Sequence, residues 1–166
     1  MNSSYFHRFA RYNAWANRRL YEACAALSRE EYRARRPSFF GSIHATLNHI
    51  LVGDRVWMGR FENLPSGIER LDQILHEEFA DLRAARAGED ARILGYVGRL
   101  GEDAIAGTLR YRNMAGEAHE TPLAWTLAHF FNHQTHHRGQ VHGMLSGTPV
   151  APPPLDLIYF LREDSA

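Results

Sequence analysis

The amino-acid sequence predicts an all-α fold: a four-helix bundle with a small β-hairpin before its last long helix. Four long segments are predicted as helices: the first carries apolar residues at alternating steps of three and four, the spacing of one helix face, and the third carries an apolar stripe. Glycine and proline residues separate these segments. Before the fourth segment, two alternating stretches flank a glycine-bearing turn, as in a hairpin. Four long helices with short connections are typical of a bundle.

The first two helices are predicted on either side of a polar connection. The first runs from about Ser3 to Leu27, and its apolar seam contains one polar residue, Asn13. Because buried polar groups need partners, we expect Asn13 to meet a polar group in the interior. The stretch 28–40 predicts a loop with room for one helical turn. The second helix, from Ser42 to Phe61, is apolar over most of its circumference, which predicts a central position.

The third predicted helix is long, from about Ile68 to Arg99, with a possible bend at Gly88. The hairpin is expected over 108–112 and 117–121, around a turn at 113–116.

The fourth helix should begin with Thr121 as its N-cap and Pro122 in the first turn, and run to about Ser146. Residues 155–161 predict a short helix that packs back on the bundle.

Length and composition indicate one domain spanning residues 1–166. All 19 basic side chains are arginine and are balanced by 19 acidic ones, so the net charge predicts neither nucleic acid nor a membrane surface as a partner. The single cysteine, Cys24, excludes an internal disulfide and fits a reducing compartment. We find no signal-peptide pattern and no apolar run near the ~20 residues of a membrane span, so we expect a cytoplasmic protein.

Ten histidines are present, and four of them lie between residues 129 and 137. On a helix, residues four apart lie about 40° apart around the axis and one turn along it, so two such imidazoles can share one ion. Both the pair His129 and His133 and the pair His133 and His137 have this spacing. His136 lies on the same broad face, whereas His142 points almost to the opposite side.

A divalent metal site of the zinc type needs at least three protein ligands. His49 is the natural third candidate because it lies in the middle of the central second helix. Its helical neighbours are small or slim and leave room for the imidazole: Ser42, Ala45, Thr46, Gly53 and Val56. The alternative is that these histidines are core residues that satisfy one another. No His-Glu-x-x-His motif indicates a metalloprotease.

Other residues carry structural interpretations. Trp15, Trp57 and Trp125 are predicted to pack in the core or at its rim, and Cys24 to be a small core residue. The remaining histidines are expected at the surface or in the hairpin: His7, His44, His76 and His119.

Three motifs resemble the DinB family of DinB/YfiT-like metalloenzymes. They are YNAWAN at 12–17, LNHIL with DRVW across 47–57, and HFFNHQTHHRGQ at 129–140. The resemblance covers nearly the whole chain, and the third motif is the most specific.

The resemblance implies a right-handed up-down-down-up bundle and a three-histidine metal site formed by His49, His133 and His137. It further implies one divalent ion, nickel or zinc, and a homodimer. The family name records DNA-damage inducibility in a relative. Members of the wider superfamily act as S-transferases on a low-molecular-weight thiol or as hydrolases, so a small-molecule substrate is expected. A non-catalytic metal-binding stress protein is the alternative. We expect Gln140 and Asn13 to accept hydrogen bonds from the ligating rings.

Overall fold

The fold is mostly helical, with one two-stranded antiparallel sheet. The computed structural model describes residues 1–164. Its elements follow in the order α1 (Ser3–Cys24), α2 (Arg29–Arg33), α3 (Ile43–Glu62), α4 (Phe79–Gly98), α5 (Glu102–Ile105), β1 (Thr108–Arg112), β2 (Ala118–Pro122), α6 (Leu123–Leu145) and α7 (Leu157–Asp164). None of the helices within these residues combines the length and apolar character that a membrane span requires.

The four long helices α1, α3, α4 and α6 pack on one another along apolar faces. Helix α1 contacts α4 and α6, and α3 contacts α6 and α4. Burial of these faces is the main stabilising contribution to such an arrangement. The largest side chains with essentially no exposed surface include Phe6, Leu20, Leu47, Leu51, Leu82, Ile93 and Phe130. Because α3 packs along α6, polar residues on their facing sides are brought together inside the protein.

Helix α3 agrees closely with its prediction. The Ser42 hydroxyl accepts a hydrogen bond from the Ala45 N–H at 3.0 Å and caps the helix start. The helix ends at Glu62 and is capped by Asn63, whose φ of 54° lies in the left-handed region. Helix α1 begins where predicted but ends at Cys24, three residues early. The single helical turn expected between them is α2.

The prediction that the third helix starts near Ile68 is wrong, because α4 starts only at Phe79. The backbone before it binds to α3 instead of forming a helix. The N–H groups of Leu75 and His76 both donate to Asn48 Oδ1, at 2.9 and 3.0 Å. This one side-chain acceptor takes the place of helical hydrogen bonds, and two of the apolar residues that predicted a helix, Leu71 and Ile74, are exposed.

The hairpin has the predicted position, with Thr108 paired to Pro122 and Arg112 to Ala118. Its second strand continues to Pro122, so Thr121 pairs with Leu109 and does not cap α6. The predicted N-cap is therefore wrong: α6 follows the strand directly, and the Leu123 N–H donates to the Gly107 carbonyl at 2.9 Å.

Two further expectations need correction. His44 is buried rather than at the surface, because the segment before α4 covers it and its Nε2 contacts the His76 carbonyl at 3.1 Å. Trp125 is 65% exposed and packs in neither the core nor its rim. The expected C-terminal helix is α7, which runs later than predicted and packs Phe160 against Tyr12 and Trp15 of α1.

Candidate metal centre

Three histidines from two facing helices converge on one point. Helix α3 supplies His49, and α6 supplies His133 and His137 one turn apart. His49 Nε2 lies 3.3 Å from His133 Nε2 and 3.2 Å from His137 Nε2. One nitrogen of each ring lies within 4.8 Å of the others, and this is the one such group of potential ligands within residues 1–164.

The hydrogen bonds behind the rings determine which nitrogen carries the proton. His49 Nδ1 lies 2.8 Å from the Leu71 carbonyl, which can only accept, so this Nδ1 donates. His137 Nδ1 lies 2.8 Å from Gln140 Oε1 and donates in the same way. In the neutral rings, Nε2 of His49 and Nε2 of His137 therefore both present lone pairs to each other.

Two facing lone pairs repel unless a cation lies between them. Zinc binds histidine nitrogen at about 2.0–2.1 Å, so two nitrogens of a tetrahedral site lie about 3.3–3.4 Å apart. The separations of 3.3 and 3.2 Å from His49 Nε2 are close to that value. The donor set and its spacing fit a divalent ion.

The ring positions are held by close packing. Phe40, from the loop before α3, stacks on His49 with ring centroids 3.9 Å apart and approaches His137 edge-on at 5.6 Å. On the other side, the His133 ring lies directly against Gly53, where a β-carbon would be 2.8 Å from His133 Cε1. Gly53 thus leaves room for the His133 imidazole, which comes from α6.

The surroundings favour the neutral imidazoles that bind metal. Burial lowers the pKa of His133 to about 3, and the neighbouring His137 and His49 add to the effect. Burial likewise lowers the pKa of His49 and of His137, against the opposing hydrogen bonds to Leu71 and Gln140. All three rings are consequently neutral at pH 7.

The remaining α6 histidines lie outside the cluster. His129 packs on Trp57 with ring centroids 5.1 Å apart. His136 is exposed and contacts the Gln140 amide at 3.3 Å, and His142 Nε2 contacts the Pro153 carbonyl at 3.1 Å. Of the two pairs with four-residue spacing, the geometry therefore joins His133 and His137 to His49.

One of the two residues expected to accept hydrogen bonds from the ligating rings does so. Gln140 accepts from His137, whereas Asn13 contacts no ring of the cluster. Its amide oxygen instead accepts from Arg138, and its amide nitrogen lies 3.4 Å from Asp90. Asn13 is thus buried beside polar groups, as its position in the seam predicts, in a network separate from the histidines.

Two contributors to the site are not visible in the sequence pattern. The Leu71 carbonyl belongs to a segment predicted as helix, and Phe40 belongs to a segment predicted as a polar loop. The buried aspartate of α3, Asp54, does not belong to this cluster and instead accepts hydrogen bonds from Arg86 and Gln134.

Comparison with known proteins shows the family of this chain. The sequence model of the DinB family matches residues 1–165. The chain belongs to the DinB family.

Two individual relatives agree with this membership. Protein DinB of Bacillus subtilis is 27% identical to this chain over 169 residues, covering 96% of this chain and 95% of the relative. The crystal structure of a DinB-like protein from Bacillus cereus matches with a TM-score of 0.64 at 13% identity, covering 84% of this chain and 89% of the other. The second likeness shows that this DinB-family chain shares the fold.

Proposed function

We propose that this DinB-family protein is a divalent-metal-dependent enzyme whose ion is held by His49, His133 and His137. The observation that carries the proposal is the pair of proton-free Nε2 atoms of His49 and His137, 3.2 Å apart. A divalent cation is the partner that fits this arrangement. Nickel and zinc, which both take imidazole ligands, are the proposed ions.

Three neutral ligands suit a catalytic rather than a closed structural site. Zinc sites that only support a fold have four protein ligands, whereas catalytic ones keep a position for water or substrate. A bound ion would supply Lewis acidity and lower the pKa of a coordinated water or thiol. The protein's own contribution is to orient the rings through the Leu71 carbonyl and Gln140, and to shield one side with Phe40.

The reaction that we propose is transfer to a low-molecular-weight thiol or hydrolysis of a small molecule. We further propose that the four long helices form the up-down-down-up bundle of a single domain, and that the protein acts as a homodimer. A non-catalytic metal-binding role is the second candidate. It is favoured by the absence of any carboxylate from the histidine cluster within residues 1–164, since such a group would be the simplest general base.

Elemental analysis of the tag-free protein tests the site. We expect about one equivalent of nickel or zinc per chain. His49→Ala should abolish it, whereas His119→Ala, which alters an exposed hairpin histidine, should retain it. No bound metal in the wild type, even after addition of either ion, would refute the metal centre.

A second measurement separates the enzyme from the metal-binding protein. The metal-loaded protein is assayed for consumption of a low-molecular-weight thiol with an electrophile, and for ester and amide hydrolysis. Turnover that disappears with a chelator and returns with the ion supports the enzyme. Full metal occupancy without turnover in any assay supports the second candidate.

A further inference from the structure

A pocket lies where the end of α3 meets the hairpin. After the left-handed residue Asn63, the chain folds back, and the Leu64 N–H donates to the Gly59 carbonyl at 2.8 Å. Gly59 permits this close approach, since a β-carbon there would lie 2.8 Å from the Leu64 carbonyl oxygen and 3.2 Å from Ser66 Cβ. The folded-back chain and the turn end of the hairpin enclose about 400 Å³, a volume in the range of small-molecule sites.

The charged side chains that line this pocket are all positive. Among the described residues, three arginines line it, Arg60, Arg110 and Arg112, and no aspartate or glutamate does. The remaining lining includes the polar side chains of Asn63, Ser66 and Asn113. In a chain whose formal net charge is zero, this local excess of positive charge attracts anions.

Arg60 has no anionic partner within the described part of the chain. Its guanidinium carbon lies 4.6 Å from the ring centroid of Trp57 and 5.0 Å from that of Tyr111, so two aromatic rings fix its position. Burial lowers the pKa of Arg60, and the Tyr111 phenol opposes this only in part. The guanidinium N–H groups of Arg60 form no hydrogen bond to residues 1–164, so they can donate to a ligand.

The two hairpin arginines differ in their availability. Arg112 donates to the Gly116 carbonyl at 2.6 Å and forms no ion pair among residues 1–164, so its charge is not neutralised. Arg110 is paired with Glu120 at 2.6 Å across the hairpin. Arg60 and Arg112 are therefore the two charges that a ligand can neutralise.

We propose that this pocket binds the anionic group of a small molecule, a phosphate or a carboxylate, with Arg60 as its anchor. The planar guanidinium donates two parallel hydrogen bonds to either group, and such charge-assisted pairs are among the strongest in proteins. Arg112 supplies a second positive charge at the hairpin side of the pocket.

The position of Arg60 connects this pocket to the histidine cluster. The His133 ring lies 6.0 Å from that of His129, which lies 5.1 Å from Trp57, the ring on which Arg60 stacks. None of these histidines is among the described residues that line the pocket, so anion binding by Arg60 does not depend on the proposed function.

Calorimetric titration of the chelator-treated protein tests the proposal without a metal. The probes are inorganic phosphate and succinate, each against a chloride background of equal ionic strength, and the comparison separates phosphate from carboxylate recognition. We expect at least one probe to bind with millimolar or better affinity. Arg60→Gln should weaken it by about tenfold or more, the loss of one charge-assisted pair. Arg60→Lys keeps the charge but lacks the planar guanidinium, so its affinity for the probe should lie between those of the wild type and Arg60→Gln.

The controls make the outcome decisive. Arg8→Gln, at an exposed arginine outside the pocket, should leave the affinity unchanged. Circular dichroism establishes that each variant is folded; if Arg60→Gln is not, Arg112→Gln takes its place and must weaken binding severalfold. Absence of binding of both probes to the wild type, or unchanged affinity in the folded arginine variant, overturns the proposal. Arg60 would then serve only the ring stack and the negative end of the helix dipole.

Discussion

Gly53 of α3 and His133 of α6 are in direct contact, so close that a β-carbon on residue 53 would lie 2.8 Å from His133 Cε1. This contact joins the two helices at the level of the histidine cluster. The absence of a side chain at one position therefore determines where an imidazole on the other helix can lie. Glycine at position 53 thus serves the site and not the helix, because alanine would stabilise a helix more than glycine does.

Replacement of Gly53 by alanine should damage the site without unfolding the protein. Alanine favours a helix over glycine by about 1 kcal/mol, but its methyl group would push the His133 ring out of place. We expect the affinity for zinc or nickel to fall about tenfold, as when ligand positioning is disturbed, while the thermal midpoint of the metal-free protein does not fall. Gly88→Ala on α4, where a β-carbon meets nothing within 4 Å, should leave metal affinity unchanged. Equal affinity in both variants would show that the contact does not position the ring.

The choice of histidine pair on α6 can be tested directly. His133→Ala and His137→Ala should each reduce the metal content sharply while the helical circular dichroism is retained, because each removes one of the three ligands. His129→Ala should keep the metal, since that ring packs on Trp57 instead. Loss of metal in His129→Ala alone would mean that the other pair binds the ion.

Stability of the metal-free protein should decrease in mild acid because of His133. Burial lowers the pKa of its folded-state ring to about 3, whereas an unfolded chain has a histidine pKa of about 6.5. Between these values the unfolded chain binds more protons, so the free energy of unfolding falls as the pH drops below about 6.5.

Urea unfolding at pH 7 and pH 5 measures this decrease, both for the wild type and for the His133→Gln variant. Burial raises the pKa of Asp54 to about 7, which contributes in the opposite direction over this range. Asp54 is present in both proteins, so its contribution cancels in the difference. The variant should lose less stability on acidification than the wild type; an equal loss would exclude His133 as its source.

The buried network around Asp54 should contribute strongly to stability and not to metal binding. Asp54 is fully buried and accepts hydrogen bonds from Arg86 and Gln134. Asp54→Ala leaves the buried Arg86 with Asp90 as its one ionic partner among residues 1–164, and we expect a loss of about 3 kcal/mol or more in urea unfolding. Asp72→Ala, at an exposed ion pair with Arg70, should cause no measurable change. An unchanged free energy of unfolding in Asp54→Ala would show that the network adds little to stability.

The residues themselves determine the helical class and the hairpin, and they narrow the candidate ligands to a few histidines. The apolar spacing and the capping serine predicted both ends of α3 to within one residue, because both are local features of the sequence. Four-residue spacing narrowed the ligands on α6 to two overlapping pairs. The resemblance to the DinB family selected His133 and His137, and their geometry with His49 agrees.

Only the tertiary structure decided how the site is held together. The segment before α4 has a helix-like pattern, yet Asn48 and His49 of α3 bind its backbone, and the competition between these contacts and a helix cannot be judged locally. The same is true of Phe40 on His49 and of Arg60 between Trp57 and Tyr111. Helical periodicity reports which face of one element is buried, but contacts between distant segments depend on how all the faces pack at once.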